Sequence, residues 1–310
     1  MAKRGPSKLN LLLAVDKPVG CTSHDVVSMC RRALGERRVG HAGTLDPLAS
    51  GVMLIGVGQA TRLLGMLTLD TKSYIADIVF GSETNTDDAE GEVVRTADAA
   101  PELFDRAFAG RALAGFLGRQ EQVPPAFSAI SVNGVRAYRA ARAGEEVELP
   151  PRPIEVLSAD LIAISGTPEA PVWTVAFTVS KGTYIRALAR DIGRAVSGAA
   201  HIGALRRTSS GSVSLGGCIA PDALDVEVAT ERALDPVATL GVSGVELSAR
   251  YTDDILCGRR LPGDIVGRDV DSNGPIALVI GGELRALARL EAGVLVMSDV
   301  FPQGITGVRL

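Results

Sequence analysis

Apolar residues fall in short runs along the chain, separated by clusters of glycine, proline and polar residues. "LNLLLAVDKP" is an almost unbroken apolar run halted by Pro18, which predicts a buried first strand. In "VGCTSHDVVSMCRRALG" the apolar residues Val26, Val27, Cys30 and Leu34 recur at helical spacing. Thr22 and Asp25 stand at capping-box spacing, and Gly35 closes the predicted helix. "VMLIGVG" predicts a short buried strand, "QATRLLGMLTL" a helix and "KSYIADIVFG" a strand, whereas "SETNTDDAEGE" is a polar, acidic loop of turn-forming residues. Residues 101–118 read as an amphipathic helix. After them come a Pro-Pro break, a strand, a hairpin signal at Asn133-Gly134 and a short basic helix. "PPRPIEVLSADLIAI" and "VWTVAFTVS" are strands. "GTYIRALARDIGRAVSG" is a helix closed by Gly198, and "HIGALRRTSSGSVSL" leads into another strand.

Strands with hairpins and interspersed helices, without a regular βαβ alternation, predict a mixed α+β domain. "DPVATLGVSG", around residues 235–245, looks like a linker. Beyond it "RYTDDILCGRRLPG" begins helically, and short apolar runs then alternate with glycine turns in a small strand-rich module of about 65 residues.

Composition narrows the classes. At 310 residues the chain can bury a large core, as one large domain or one large and one small. No apolar run reaches the roughly 18 residues that span a bilayer, and Asp16 interrupts "LNLLLAVD" too early for a signal-peptide core. Cys21, Cys30, Cys218 and Cys257 lack CxxC spacing, which argues against a zinc site or a disulfide framework and fits a reducing cytoplasm. With three histidines, metal chemistry would rest on carboxylates alone. The net charge of −4 argues against a nucleic-acid partner until its distribution is considered. Residues 1–65 and 181–210 each carry an excess of five positive charges, leaving −14 elsewhere. Such asymmetry fits a basic face for phosphates on an acidic body, although charged residues on ordinary solvated faces would give it too.

The stretch "GHAGTLDPLASG" holds one carboxylate, Asp46, between a leucine and a proline. Pro47 pushes Asp46 towards an extended conformation, and the flanking glycines allow a tight, exposed path. Such an aspartate can point out of a strand end as a reactive group. Taken alone, the same residues also make an ordinary turn.

The surrounding residues carry more. "DKPVGCTSHDVV", "RRVGHAGTLDPLASGVMLIGVGQATRLL", "KSYIADIVFG", "SKGTYIRALARDIG" and "AHIGALRRT" occur in an order and at spacings that resemble the bacterial tRNA pseudouridine synthase B family, over residues 11 to about 215. The resemblance implies a pseudouridine synthase fold: a mixed, mostly antiparallel central sheet with flanking helices, plus a small C-terminal β-rich, PUA-like RNA-binding domain. The domains would be residues 1–240, with an RNA-clamping insertion at about 119–150, and residues 245–310. The implied activity is isomerisation of uridine 55 in the tRNA T loop, with no redox equivalent, metal or nucleotide cofactor.

By resemblance Asp46 is the catalytic carboxylate, as nucleophile toward C1′ or as base at C2′. Tyr74 packs against the target base, and Arg186 pairs with the aspartate and keeps it ionised. Tyr184 and Leu205 line the uracil pocket, and His41 contacts the extruded nucleotide. Arg62, where the family also has lysine, binds phosphate with Arg206 and Arg207, and Asp88 matches an acidic position. Arg136, Arg139 and Arg142 recur at helical spacing in the insertion. The implied partner is tRNA, held by its T-arm and acceptor stem, with a monomeric cytoplasmic enzyme and no membrane or obligatory protein partner. The rival readings are a guide-RNA-dependent relative acting on ribosomal RNA, a non-catalytic RNA-binding or RNA-folding protein, and a small-molecule hydrolase. The last lacks an acid/base partner for Asp46 in the sequence.

Overall fold

The apolar run at the start of the chain forms β1 (Leu11–Lys17), antiparallel to β3 (Ala49–Val57), with Leu11 opposite Val57 and Lys17 opposite Gly51. β2 (Val39–Ala42) also pairs with β3. The computed structural model describes every residue except 1–4, 69–70, 129–130, 133–134, 137–148, 197, 268–269 and 271–273. It divides into two compact units. One comprises residues 1–46, 51–69 and 211–310, and the other residues 47–50 and 70–210.

In the first unit both faces of β1 are covered, which is why its sequence is apolar at nearly every position and not at alternate ones. Leu11, Leu13 and Val15 pack with Val26, Val27, Cys30 and Leu34 of α1 (Ser23–Leu34). That helix begins with the expected capping box between Thr22 and Asp25 and ends at Gly35 in the left-handed conformation. Leu12, Ala14, Val52 and Leu54 face the other way, into a core shared with Ala277, Val279, Leu284, Leu287, Phe301 and Ile305. Those residues come from a five-stranded sheet of order β14-β16-β17-β18-β15, formed by Ser243–Glu246, Ile276–Ile280, Glu283–Glu291, Val294–Ile305 and Leu261–Pro262. In β16 the alternation sends Ala277 and Val279 to this core. Ile276, Leu278 and Ile280 enter a second core with Leu247, Ile255 and Leu295.

Three expectations change here. "QATRLLGMLTL" is not one helix but a 3₁₀ segment at Gly58–Arg62 followed by α2 (Leu64–Leu67). Tertiary bonds take up its start: Gln59 N donates to Asn10 Oδ1 (2.8 Å), and Gln59 Nε2 donates to Gln303 Oε1 (3.0 Å). Residues 101–118 divide into a 3₁₀ turn (Pro101–Phe104) and α3 (Arg106–Ala114), because Asp105 caps the backbone N–H of Ala107 in mid-run (2.7 Å). The presumed linker is ordered. Asp235 caps a short helix (Pro236–Leu240) whose Val237 enters the shared core, and β14 follows.

The second unit is a run of antiparallel neighbours in the order β12-β4-β11-β10-β7, formed by Ala200–Ser210, Lys72–Phe80, Ala170–Val179, Arg152–Thr167 and Gly118–Gln122. The "HIGALRR" segment is thus itself a strand. A separate hairpin joins β5 (Ser82–Thr84) and β6 (Val93–Thr96). Within the expected insertion β8 (Ser131–Val132) pairs with β9 (Val135–Arg136), and the sequence places an Asn133-Gly134 turn there. That turn, the basic helix after it, Arg139 and Arg142 lie outside the described residues. The α+β, mainly antiparallel class stands as expected. Among the described residues no helix is long and apolar enough to cross a membrane.

The long helix of the second unit, which we label α4 (Ile185–Val196), meets β12 through Gly193. A β-carbon there would fall on that of Ala200 and lie 2.5 Å from the Ala200 backbone nitrogen. Gly193→Ala adds helix propensity of up to about 1 kcal/mol, but overpacking of this kind costs about 1–3 kcal/mol. The expected outcome is a lower denaturation midpoint. An unchanged or raised midpoint would mean that α4 can slide off Ala200 freely.

Candidate active site

The segment carrying Asp46 has no regular structure and joins β2 to β3. Its backbone is nonetheless pinned one residue earlier. Ser23, the first residue of α1, accepts the Leu45 N–H at Oγ (2.8 Å) and donates the same hydroxyl to the Leu45 carbonyl (2.9 Å). Both residues are buried, so the loop is held where water does not compete for the bonds. Asp46 itself is half-buried, as is His41 in β2. Asp46 is the last residue of its segment in the first unit, and residues 47–50 belong to the second. There Ser50 Oγ accepts a hydrogen bond from Arg206 Nη1 (3.1 Å).

Strand register assembles the apolar part of the expected pocket. Tyr74 on β4 stands directly opposite Phe177 of β11 and Arg207 of β12, and Leu205 stands opposite Ala76. Residues opposite one another in an antiparallel pair project from the same face. Tyr74, Leu205 and Arg207 therefore share one face of this sheet, and all three are buried. Adjacent strand residues point to opposite faces, so Arg206 and Arg207 cannot act as a tandem phosphate clamp. Arg206 is half-buried on the other side, next to the exposed Ile75, whereas Arg207 is only 1% exposed. Arg62 is likewise committed elsewhere. Its Nη1 donates to the Val300 carbonyl and its Nη2 to Asp299 (2.6 Å each), with its guanidinium 5.2 Å above the Phe301 ring. These bonds tie the Gly58–Arg62 segment to β18.

The second unit also holds a ladder of ion pairs that the sequence did not reveal. Arg186, Arg190 and Arg194 recur at i, i+4 and i+8 on α4, hence on one helix face. Each meets a carboxylate from the loop expected to be solvated. Arg194 grips Glu83 through two donors (2.9 and 2.7 Å), Arg190 Nη1 meets Asp87 Oδ2 (2.9 Å) and Arg186 Nη1 meets Asp88 Oδ2 (3.3 Å). Glu83, Asp87 and Asp88 are all buried. Asp88 is therefore not a turn aspartate in water. Its Oδ1 also accepts from Thr86 Oγ1 (2.6 Å) and Glu90 N (3.1 Å). Arg186 donates further to the carbonyls of Thr86 (2.7 Å) and Phe127 (3.1 Å). The half-buried Tyr184 precedes it, with its backbone N–H and carbonyl both bonded to the Gln122 side chain (2.9 and 3.1 Å). The signal for this ladder was the four-residue arginine repeat facing three acids, and it becomes legible only once α4 and the loop are known to be neighbours.

Burial and charge compete within the ladder. Burial pulls Glu83 upward, but the hydrogen bond and charge of Arg194, with Arg95 and Arg190, hold it below the usual carboxylate range. At Asp87 burial wins over Arg190, Arg186 and Arg194, pushing the carboxyl up to about 6. Asp87 also has φ +60°, a left-handed conformation that asparagine tolerates. Asp87→Asn therefore keeps the backbone and removes the titration. A carboxyl raised in the folded state contributes stability that is full below its unfolded value, near 3.8, and lost as pH rises through about 6. Denaturation of both proteins across this range should show wild type gaining on Asp87→Asn as pH falls. A difference that ignores pH would mean Asp87 titrates alike in the folded and unfolded chain.

The family model for the TruB family pseudouridylate synthase (N terminal domain) matches residues 31–185. The chain is 46% identical over 258 residues to the tRNA pseudouridine synthase B of Mycobacteroides abscessus, covering 83% of this chain and 86% of that one. It is 40% identical over 301 residues to the protein of the same name from Mycobacterium bovis, covering 95% and 99%. In fold it is similar to a chain of an H/ACA RNP bound to a substrate RNA containing 2'-deoxyuridine, with a TM-score of 0.68 at 21% identity over 94% of this chain and 84% of that one. A Cbf5-Nop10-Gar1 complex gives 0.66 at 21% identity over 97% and 89%. With the match spanning the loop of Asp46, the face of Tyr74 and the start of α4, the chain belongs to the TruB family of pseudouridylate synthases.

Proposed function

We propose that this pseudouridylate synthase acts on tRNA and isomerises uridine 55 of the T loop, with Asp46 as the reacting carboxylate. The tRNA assignment is supported by relatives that bear the name tRNA pseudouridine synthase B and align with this chain over most of their length. The observation that carries the chemistry is the loop of Asp46. It is a short irregular segment whose only carboxylate is half-buried and whose backbone is clamped by Ser23 immediately before it. A pre-positioned carboxylate loses little conformational freedom on reaching the transition state.

A stacked T-loop uridine must leave the helix stack before its glycosidic bond can be attacked, at a cost of a few kcal/mol. His41 fills the vacated position, and the extruded base rests on Tyr74 and against Leu205 and Tyr184. An aromatic face offsets about 1–3 kcal/mol of the unstacking. Asp46 then acts at the ribose, as nucleophile toward C1′ or as base at C2′. The N1–C1′ bond breaks as Asp46 bonds C1′ or takes the C2′ proton, and the uracil turns. C5 then joins C1′ as the Asp46–C1′ bond breaks or C2′ regains its proton, and C5 gives up its proton while N1 gains one, so the net change is an isomerisation. Both routes need Asp46 ionised, which the positive charge of Arg186 favours. Asp88 holds Arg186 in turn. Residues about 119–150 close over the T-arm. The C-terminal sheet acts as the PUA-like module of residues 245–310 and holds the acceptor-stem side.

Asp46→Asn keeps the shape and removes the base or nucleophile. Position-resolved detection of pseudouridine on unmodified tRNA should show no turnover by this variant, with tRNA binding retained because phosphate contacts elsewhere supply most affinity. Turnover within about tenfold of wild type would remove Asp46 from the reaction. The two arginines of β12 should separate in salt titrations. Arg206→Ala is expected to lower the slope of log K against log salt by about one, whereas Arg207→Ala, emptying a buried site, lowers thermal stability and leaves the slope alone. Equal slopes in wild type and Arg206→Ala would show that Arg206 meets no phosphate.

A further inference from the structure

Arg186 and Arg190 do more than answer two acids. Each divides its donors between the Thr86–Asp88 turn and a carbonyl of the strap at residues 122–128. Arg186 joins Thr86 to Phe127, and Arg190 joins Asp87 to Val123, the latter through Nη1 and Nη2 at 2.9 Å each. Arg190 Nε is also occupied, by Asp191 (2.9 Å). A guanidinium is a flat, rigid fork, so the two groups it joins cannot move independently. The strap is tied a third time where Gln122 bonds the backbone of Tyr184, the residue before α4, and it lies within the expected insertion of about residues 119–150.

We infer that Arg190 is a positioning residue for the isomerisation: by locking Asp87 to Val123 it sets the turn and the strap that orient Arg186. This rests on the reading of Arg186 in the preceding subsection. Asp87 lies between Thr86 and Asp88, both of which bond Arg186. It is 7% exposed and held in a left-handed conformation, so the Arg190 bond opposes any relaxation of the turn. Without Arg190 the Asp87 carboxylate is left buried beside a lost partner, and the turn rotates or takes up a proton. Either change displaces the two groups that aim Arg186, while the Val123 end of the strap comes loose. Arg194 offers an internal comparison. It is bidentate to Glu83, further along the same helix face, and these two bonds reach neither the turn nor the strap.

The test uses the full-length protein with Arg190→Met, Arg190→Lys, Arg194→Met and Arg186→Lys. Three quantities are measured on unmodified tRNA: the single-turnover rate at saturating enzyme, the RNA dissociation constant and the thermal midpoint. Arg190→Met is expected to slow the bound-state rate on the order of 100-fold, as a small misplacement of a reacting group does, with RNA affinity within about threefold of wild type. Arg190→Lys, which keeps the charge but loses the fork, should recover part of the rate. Arg194→Met should lower the thermal midpoint while leaving the rate within about threefold. Equal rate losses in Arg190→Met and Arg194→Met, or a loss accounted for by weaker RNA binding, would overturn the inference. If Arg190→Met does not fold, Arg190→Lys against Arg194→Met decides, and a lysine variant with wild-type rate overturns it. A fully active Arg186→Lys would instead sink the reading of Arg186. An inactive Arg186→Lys beside a fully active Arg190→Met would sink only the positioning role.

Discussion

A row of buried charges constrains the second unit of this protein more than any other feature. Three carboxylates, Glu83, Asp87 and Asp88, lie out of water, and such groups survive as anions only where cations and hydrogen bonds replace their lost hydration. α4 supplies the cations at one-turn intervals, and this fixes its rotation about its own axis. Turned by a quarter, it would carry Arg186, Arg190 and Arg194 away from the acids and leave them unanswered. Its close approach to β12 at Gly193 serves the same end, because helix and loop must stay within ion-pair distance along the whole row. The ladder contributes geometry more than net stability, since desolvation offsets much of the attraction in each buried pair.

The first unit is organised by apolar contact. β1 and β3 are covered on both faces, by α1 on one side and by the C-terminal sheet on the other. The C-terminal residues are thereby part of the core that supports the Asp46 loop and not an appendage to it. Polar ties reinforce the arrangement at its edge: Thr306 N donates to the Asn10 carbonyl (2.9 Å), Gln303 to Ser7, and Arg62 to β18. A sheet buried on two faces has little freedom to tilt, which suits a module whose proposed task is to hold one end of a large RNA at a fixed place.

Local signals served well where a local cause decided the outcome. Thr22, Asp25 and Gly35 bounded α1 because capping chemistry is a matter of neighbours in sequence. The β1, β4 and β11 strands followed from their apolar patterning. "QATRLLGMLTL" failed as a helix because Asn10 and Gln303, both remote in sequence, claim its first turn. The supposed linker failed because Asp235, Val237 and β14 acquire partners from the end of the chain.

The amino-acid sequence by itself determined the family and the α+β class, and it named the groups proposed to do the chemistry. Those rest on residue types at fixed spacings, such as "GHAGTLDPLASG" and "GTYIRALARDIG", which need no partner to be recognised. Tertiary structure alone decided what each group is free to do. It turned Arg207 inward and left Arg206 on the other face, bound Arg62 to a strand more than two hundred residues away, and buried an acid loop that reads as solvated. The physical reason is that a charge is read locally, whereas its desolvation and its partner are set by elements far off in the chain. Ser23, Gln122 and Arg190 show the same limit. Ordinary by sequence, they hold the Asp46 loop, the strap and the Thr86–Asp88 turn because folding brings a carbonyl, a backbone or a carboxylate within three ångströms of them.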